Sequence, residues 1–372
     1  MAKAKRKTLP KDFEQMLSAG DLQALKAVFD SCGLEAYGGY SKQTALAFVN
    51  CPDELTRWLV AQGANLSAVD MYGETPLHQR AGHWKGQVEL LIELGADVNH
   101  TADGKGTPLH RAAAVGNLRN AQSLLNHGAR PDALNRHGQT PLVFALQQCS
   151  NASIDRMAPM AELLLNAMRN TAQEPKPLLG RILEKLRKPD SPVTPQMQSL
   201  VQRIGTDFEF HRAGYNPECV DATSDALDRL YTLFDVVPVP RRTVHDGKSP
   251  IVAKAARWED RHQELWELLV PSSGPATTAQ GEAIRISGRI HRELEDNGGV
   301  NWDSDYRKMV DALLAHLNSG QALPAPELDA ARQVAAEVRK GGGCPAEMCR
   351  FSVKWVDLNP QPIPLSGVAY KR

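Results

Sequence analysis

The side chains that could do chemistry crowd into residues 280–305. Glu282, Arg285, Arg289, Arg292 and Asp296 follow one another at three- and four-residue steps, and Asp303 and Asp305 come just after. On an α-helix those steps put the side chains on one face. Carboxylates beside guanidinium groups allow three kinds of chemistry. Glu282 with Asp303 or Asp305 would serve as the acid and base of a hydrolysis. Arg285 and Arg289, like charges one turn apart, would hold an anion or an acidic partner. Alternatively the face pairs internally, with Glu282, Glu293 and Asp296 neutralising the arginines. Internal pairing is the expectation, because charged helix faces are usually paired and solvated. The arginine face should then look towards other protein groups, either the loop at Asn297–Asp305 or the repeat array, and not into open solvent, with Glu282, Asp303 or Asp305 as partners for forked hydrogen bonds. No nucleophile–histidine–acid order, phosphate loop or His-Glu-x-x-His pattern occurs elsewhere. Cys344 and Cys349 have no second cysteine pair and no nearby histidine, so they fit no zinc pattern. No catalytic residue, metal or cofactor is therefore assigned. Glu282, Arg285, Arg289, Asp303 and Asp305 stand as a candidate polar site.

Helices must position that face. Ala283, Ile286, Ile290 and Leu294 make the apolar side of a helix over about 280–296, which ends at Asn297-Gly298-Gly299. Asp303 can cap the next helix, about 304–318, whose stripe is Tyr306, Met309, Val310, Leu313, Leu314 and Leu317. Other helices are expected from Thr194-Pro195, from about Ser224, over about 255–269 and over about 325–340. Val236–Val252, rich in proline and basic residues, should be an ordered loop. Phe351-Ser352-Val353-Lys354-Trp355 alternates as a strand does, and Asn359-Pro360-Gln361-Pro362 would turn it back into a second short strand.

The first half of the chain reads differently. Thr75-Pro76-Leu77-His78, Thr107-Pro108-Leu109-His110 and Thr140-Pro141-Leu142 recur roughly 32 residues apart. Proline is tolerated in a first helical turn, and a threonine before it caps the orphan backbone donors. Gly63-Ala64, Gly95-Ala96 and Gly128-Ala129 end second helices where a left-handed backbone is needed. A degenerate earlier unit starts near Thr44-Ala45-Leu46. One such hairpin cannot bury its apolar face, so neighbours must stack.

These residues resemble the ankyrin repeat family over about residues 10–170. The family turn, Asp-x-x-Gly-x-Thr-Pro-Leu-His, is complete at Asp70, Gly73, Thr75, Pro76, Leu77 and His78. The next unit has Gly104 and Gly106 around Lys105, the last has Val143 in place of the histidine, and Arg80 stands where the family favours alanine. An insertion at Ser150–Ser153 precedes the last second helix. The resemblance implies a solenoid, with His78 and His110 hydrogen-bonded inside the stack. It also implies protein binding through turn tips and inner helices, where Met71, Tyr72, Glu74, Arg80, Lys105, Arg111, Arg136, His137 and Gln139 are the candidate contacts. Leu268–Leu317 resembles a bacterial segment of unassigned activity, which brings no function.

Composition bounds the rest. The 372 residues are 42% hydrophobic and 23% charged with formal net charge +0, which suits an ordinary globular protein and argues against a nucleic-acid surface. No window reaches the apolar run of about 20 residues that a membrane helix needs. The N-terminal Lys3–Lys7 run has no apolar core behind it, so it reads as a solvated tail and not a signal. The expected fold is mostly α: an ankyrin-repeat solenoid followed by a helical C-terminal domain with a small β element. The expected divisions are a basic flexible tail over 1–10, an irregular array with a closing helix over 11–187, a helical domain over 194–320 and a C-terminal helix with strands over 321–372. The expected function is protein–protein interaction by a bacterial cytoplasmic protein, in a regulatory or toxin-neutralising, immunity-like role. The alternative is an enzyme whose C-terminal domain acts while the repeats recruit its substrate.

Overall fold

The computed structural model describes residues 4–102, 104–173 and 192–371, and the chain is mostly helical. It divides into two compact units. The first is Met1–Phe208 with Asn216–Val239, and the second is Glu209–Tyr215 with Pro240–Arg372. The helix expected over Pro177–Leu186 lies outside the described residues.

The small β element sits at the N-terminus. Strand β1 (Arg6–Thr8) pairs in parallel with β2 (Cys32–Gly38), which pairs antiparallel with β3 (Gln43–Thr44). The basic segment expected to be a free tail is therefore partly ordered. Lys5 Nζ donates to Phe29 O at 2.6 Å and Arg6 Nη2 to Ser31 Oγ at 2.9 Å. Both cations thus sit at the last turn of α2 (Leu22–Ser31), where carbonyls and the helix dipole favour them. Helices α1 (Phe13–Ala19) and α2 close on Leu46, Leu55 and Leu59, with Phe13 packed edge-on against Phe29 and Phe48.

The stacked hairpins follow. The degenerate unit opens with a short 3₁₀ turn, Ala45–Ala47, and continues as α3 (Asp53–Ala61). The regular units are α4 (Pro76–Ala81) with α5 (Glu89–Glu93), α6 (Pro108–Val115) with α7 (Leu118–Asn126), and α8 (Pro141–Gln148) with α9 (Ile154–Gln173). The leucine of each turn motif, Leu77, Leu109 and Leu142, is wholly buried. Asn120 joins two units from inside, its amide donating to Gly86 O at 3.0 Å.

Helices α10 (Pro195–His211) and α11 (Pro217–Phe234) correct the expected division at residue 194. All of α11 and nearly all of α10 belong to the first unit. Arg203 Nη2 donates to Leu146 O at 3.0 Å, and Arg229 pairs with Glu162 at 2.6 Å. An end repeat has an apolar face to cover, and this helical pair supplies the cover.

The second unit is built around α13 (Ala279–His291), followed by a π-helical turn at Arg292–Asp296. Around it lie α12 (Trp258–Leu269), α14 (Ser304–Leu317), α15 (Ala325–Val338) and α16 (Pro345–Leu358). The strand expected at Phe351–Trp355 is part of α16. Pro345 occupies a first helical turn, which suits proline. Phe351, Ser352, Val353, Trp355 and Val356 are all buried, so the helix is covered nearly all round. The chain after α16 is extended and lies along the start of α13. Ala279 N donates to Ile363 O at 2.8 Å, and Gln280 Nε2 reaches Asn359 O at 2.8 Å and Gln361 O at 2.7 Å. No helix among the described residues is long and apolar enough to cross a membrane.

Candidate functional site: the groove of the repeat array

Each repeat begins with a tight turn, and two of the three turns are held from below by one side chain. At the first tip, Asp70 Oδ1 accepts from Tyr72 N at 2.8 Å and Glu74 N at 3.0 Å. At the third, Asn135 Oδ1 accepts from His137 N at 2.9 Å and Gln139 N at 3.0 Å. The second tip lacks this side chain and closes by a backbone pair, Ala102 N to Gly106 O at 2.9 Å and back at 3.1 Å. Gly106 has φ +76, and a Cβ there would lie 2.6 Å from His110 Cγ, so only glycine fits. Because the polar work is done underneath, Met71 and Tyr72, Lys105, and Arg136 and His137 project outward.

The motif histidines lock each turn to the next. His78 Nδ1 accepts from Thr75 N at 3.3 Å, which leaves Nε2–H to donate to Gly106 O at 3.0 Å. His110 repeats this one unit on, with Thr107 N at 3.0 Å and Gln139 O at 3.0 Å. Burial lowers both imidazoles, His78 to about 4, so they are neutral donors within the stack.

Between the second and third tips runs a groove of about 660 Å³. Gly104 and Lys105 form one edge, and His137 and Gln139 the other. Arg111, Ala114 and Val115 come from α6, and Phe144, Gln147 and Gln148 from α8. Four of the nine candidate contacts thus meet: Lys105, Arg111, His137 and Gln139. Met71, Tyr72 and Arg136 are exposed on tips, with Arg136 Nε 3.3 Å from His137 Nε2. Phe144, Gln147 and Gln148 are lining residues that the turn motif does not point to. Their signal is only their place on the first helix of the last hairpin.

Two of the nine are not surface groups. Arg80 is 3% exposed, with Nε donating to Leu46 O at 2.9 Å and Nη2 to Thr56 Oγ1 at 3.0 Å. It replaces the family's alanine because the degenerate unit beneath leaves a carbonyl and a hydroxyl to fill. Glu74 is also 3% exposed and faces inward. Its Oε1 lies 2.7 Å from Arg111 Nε, an ion pair by distance whose N–H is not aligned for a hydrogen bond. Burial raises the Glu74 pKa, and the charge of Arg111 opposes that rise. The pair fixes the Arg111 guanidinium at the groove.

The candidate polar site of the second unit divides. Glu282 accepts from Arg285 Nε at 2.9 Å, Arg285 Nη2 at 2.6 Å, Ala276 N at 2.9 Å and Tyr370 OH at 2.5 Å. Burial pushes its pKa up, but these partners outweigh burial and hold the carboxyl below its usual range. A general acid needs the opposite shift. Asp303 caps α14 by accepting from Asp305 N at 3.0 Å and Tyr306 N at 3.2 Å. Asp305 binds Lys308 at 2.9 Å. The expected carboxylate pairing thus holds for Arg285, whereas no ion pair joins Arg289 to Glu282, Asp303 or Asp305. Glu293 instead holds the following loop, accepting from Asn301 N at 2.6 Å and the Asn297 amide at 3.0 Å. A serine–histidine contact, His262 Nε2 to Ser287 Oγ at 3.0 Å, gives no nucleophile. Ser287 is wholly buried and donates to Ile284 O at 3.1 Å.

Comparison with known proteins matches the family described as ankyrin repeats (3 copies) to residues 80–173. This segment is an ankyrin repeat array, an architecture that serves protein–protein interaction. Putative E3 ubiquitin-protein ligase XBAT35 of Arabidopsis thaliana is 41% identical over 93 residues, 24% of this chain and 20% of its own length. Ankyrin repeat protein nuc-2 of Neurospora crassa is 23% identical over 75% of this chain and 26% of its own. Ankyrin repeat and SOCS box protein 16 of Mus musculus is 34% identical over 24% of this chain and 22% of its own. The chain therefore spans about a fifth to a quarter of the length of these relatives. All three are eukaryotic and lend no support to the expected bacterial source.

Proposed function

We propose that the ankyrin repeat array of this chain binds another protein by taking an acidic, extended segment of it along the groove between the second and third turn tips. The observation that carries this is the groove itself. It pairs a cationic rim, Lys105 and Arg111 with Arg136 alongside, with a partly apolar floor of Val115 and Phe144. Buried Glu74 pre-orders Arg111, so little side-chain freedom is lost on binding. Gln139, Gln147 and Gln148 offer amides to a partner's main chain. A regulatory or neutralising role fits this reading, because an occupied groove would mask an acidic surface of the partner. The enzyme alternative gains no such observation, since the buried carboxylate of the second unit is held ionised.

The test uses the full chain with a photo-crosslinking residue at Gln139, expressed in its source cells. One partner protein should be captured. The double reversal Lys105→Glu and Arg136→Glu should abolish capture while shifting stability by less than about 0.5 kcal/mol, as expected for exposed sites. Undiminished capture by the double variant moves the interface off this groove.

A further inference from the structure

The second unit contains a cavity of about 270 Å³ bordered by hydrogen-bond donors. Arg285 and Arg289 enter it from α13, Ser272 and Ser273 from the loop before that helix, and Tyr370 and Lys371 from the C-terminal segment. Gly274, at φ +76, turns the loop back along the cavity.

The charges around it are unequal. Glu282 cancels Arg285 through the forked pair, and Lys308 balances Asp305 at 2.9 Å. Asp305 also accepts from Lys371 N at 3.3 Å, which brings the exposed Lys371 to the cavity mouth. Arg289 is half-buried and forms no ion pair or hydrogen bond among the described residues. Burial, and then the neighbouring charge of Arg285, hold its pKa below the usual arginine value. A cation is therefore kept partly dry beside a second cation, with no carboxylate of its own among the described residues. Among the described residues, once the internal pairs cancel, Arg289 and Lys371 leave two positive charges facing one small space.

We propose that this cavity binds a small phosphate monoester, with the phosphoryl group between Arg289, Lys371 and the hydroxyls of Ser272 and Ser273. A phosphoryl group carries about −1.5 to −2 charge at neutral pH and three acceptor oxygens, which matches two cations and two hydroxyl donors. A carboxylate has one charge and two oxygens, and one guanidinium fork saturates it. Pro275 and Val368 supply an apolar wall for the organic part of the ester.

The experiment is calorimetric titration of the full chain with inorganic phosphate, glycerol 3-phosphate and acetate, at ionic strength matched with sodium chloride. The expected result is binding of both phosphates, glycerol 3-phosphate the tighter, and no binding of acetate. Arg289→Gln should weaken phosphate binding by about tenfold or more, the loss expected for a charged hydrogen bond. Lys371→Gln should weaken it less. Lys371 is exposed, so that variant decides the matter if Arg289→Gln does not fold. Absence of phosphate binding, unchanged affinity in the variants, or acetate binding as well as phosphate would each overturn the site. Tighter binding of inorganic phosphate than of the ester would overturn the monoester assignment.

Discussion

The two units of this chain both bury polar side chains, and the bonds that hold those side chains run over different ranges. In the repeats the fixing bonds run from one unit to the next: His78 to Gly106 O, His110 to Gln139 O, Arg111 to Glu74. In the second unit α13 depends on chain far away in sequence. Gln280 is bonded to residues 359–363, and Glu282 to Tyr370, 88 residues on. A repeated unit can be read from one copy of its motif. A unique packing shows its logic only when its distant halves are brought together.

The largest expected effect tests the unique half. Glu282→Ala leaves Arg285, 2% exposed, without its counter-charge, and loss of one partner of a buried pair costs about 3–5 kcal/mol. Denaturant unfolding, followed by tryptophan fluorescence to which Trp258, Trp266, Trp302 and Trp355 of the second unit contribute, should show that loss. A change within error would mean the ion pair is solvated. Next comes Leu109→Ala in the repeats, expected to cost about 2–5 kcal/mol because the side chain is wholly buried. A variant that melts with the wild type would contradict the stacking described for α6.

The smallest effect is pH-dependent and sharpens the contrast. His78 has a folded pKa of about 4, below the ordinary value near 6.5. The unfolded chain therefore takes up the proton first. The stabilisation is full above pH 6.5 and is lost progressively as pH falls towards 4, by about 2–3 kcal/mol. His262 in the second unit is lowered to about 4 as well, also by burial. Both units should weaken as pH falls, and His78→Gln should reduce the dependence in the repeats alone, leaving there the part that the buried His110 contributes. A repeat signal that keeps its full pH slope in that variant would assign the titration elsewhere.

How much of this was legible in the sequence follows the same division. Thr-Pro-Leu-His announced its own register, capping and buried leucine, and the exposed tips could be named from it. Arg80 misled, because its partners Leu46 O and Thr56 Oγ1 lie 34 and 24 residues earlier in an irregular unit. The alternation of Phe351-Ser352-Val353-Lys354-Trp355 misled for another reason. A helix buried nearly all round shows neither the helical nor the strand period. Arg285 and Arg289 looked equivalent by spacing, and only their surroundings separate them. The four-way acceptance by Glu282 depended on Tyr370, which no local pattern connects to it.

The extended segment along α13 also bears on the order in which the chain can fold as it is made. The bonds between repeats close over about 30 residues, so each hairpin finds its neighbour soon after it emerges. Helix α13 is synthesised long before residues 359–370 exist. Until they arrive, Gln280 has neither the carbonyls of Asn359 and Gln361 nor the N–H of Ile363, and Glu282 has no Tyr370. The second unit is thus the late-closing half. During that interval its most buried helix carries exposed apolar and polar surface, a state in which a nascent chain is open to aggregation and to chaperones.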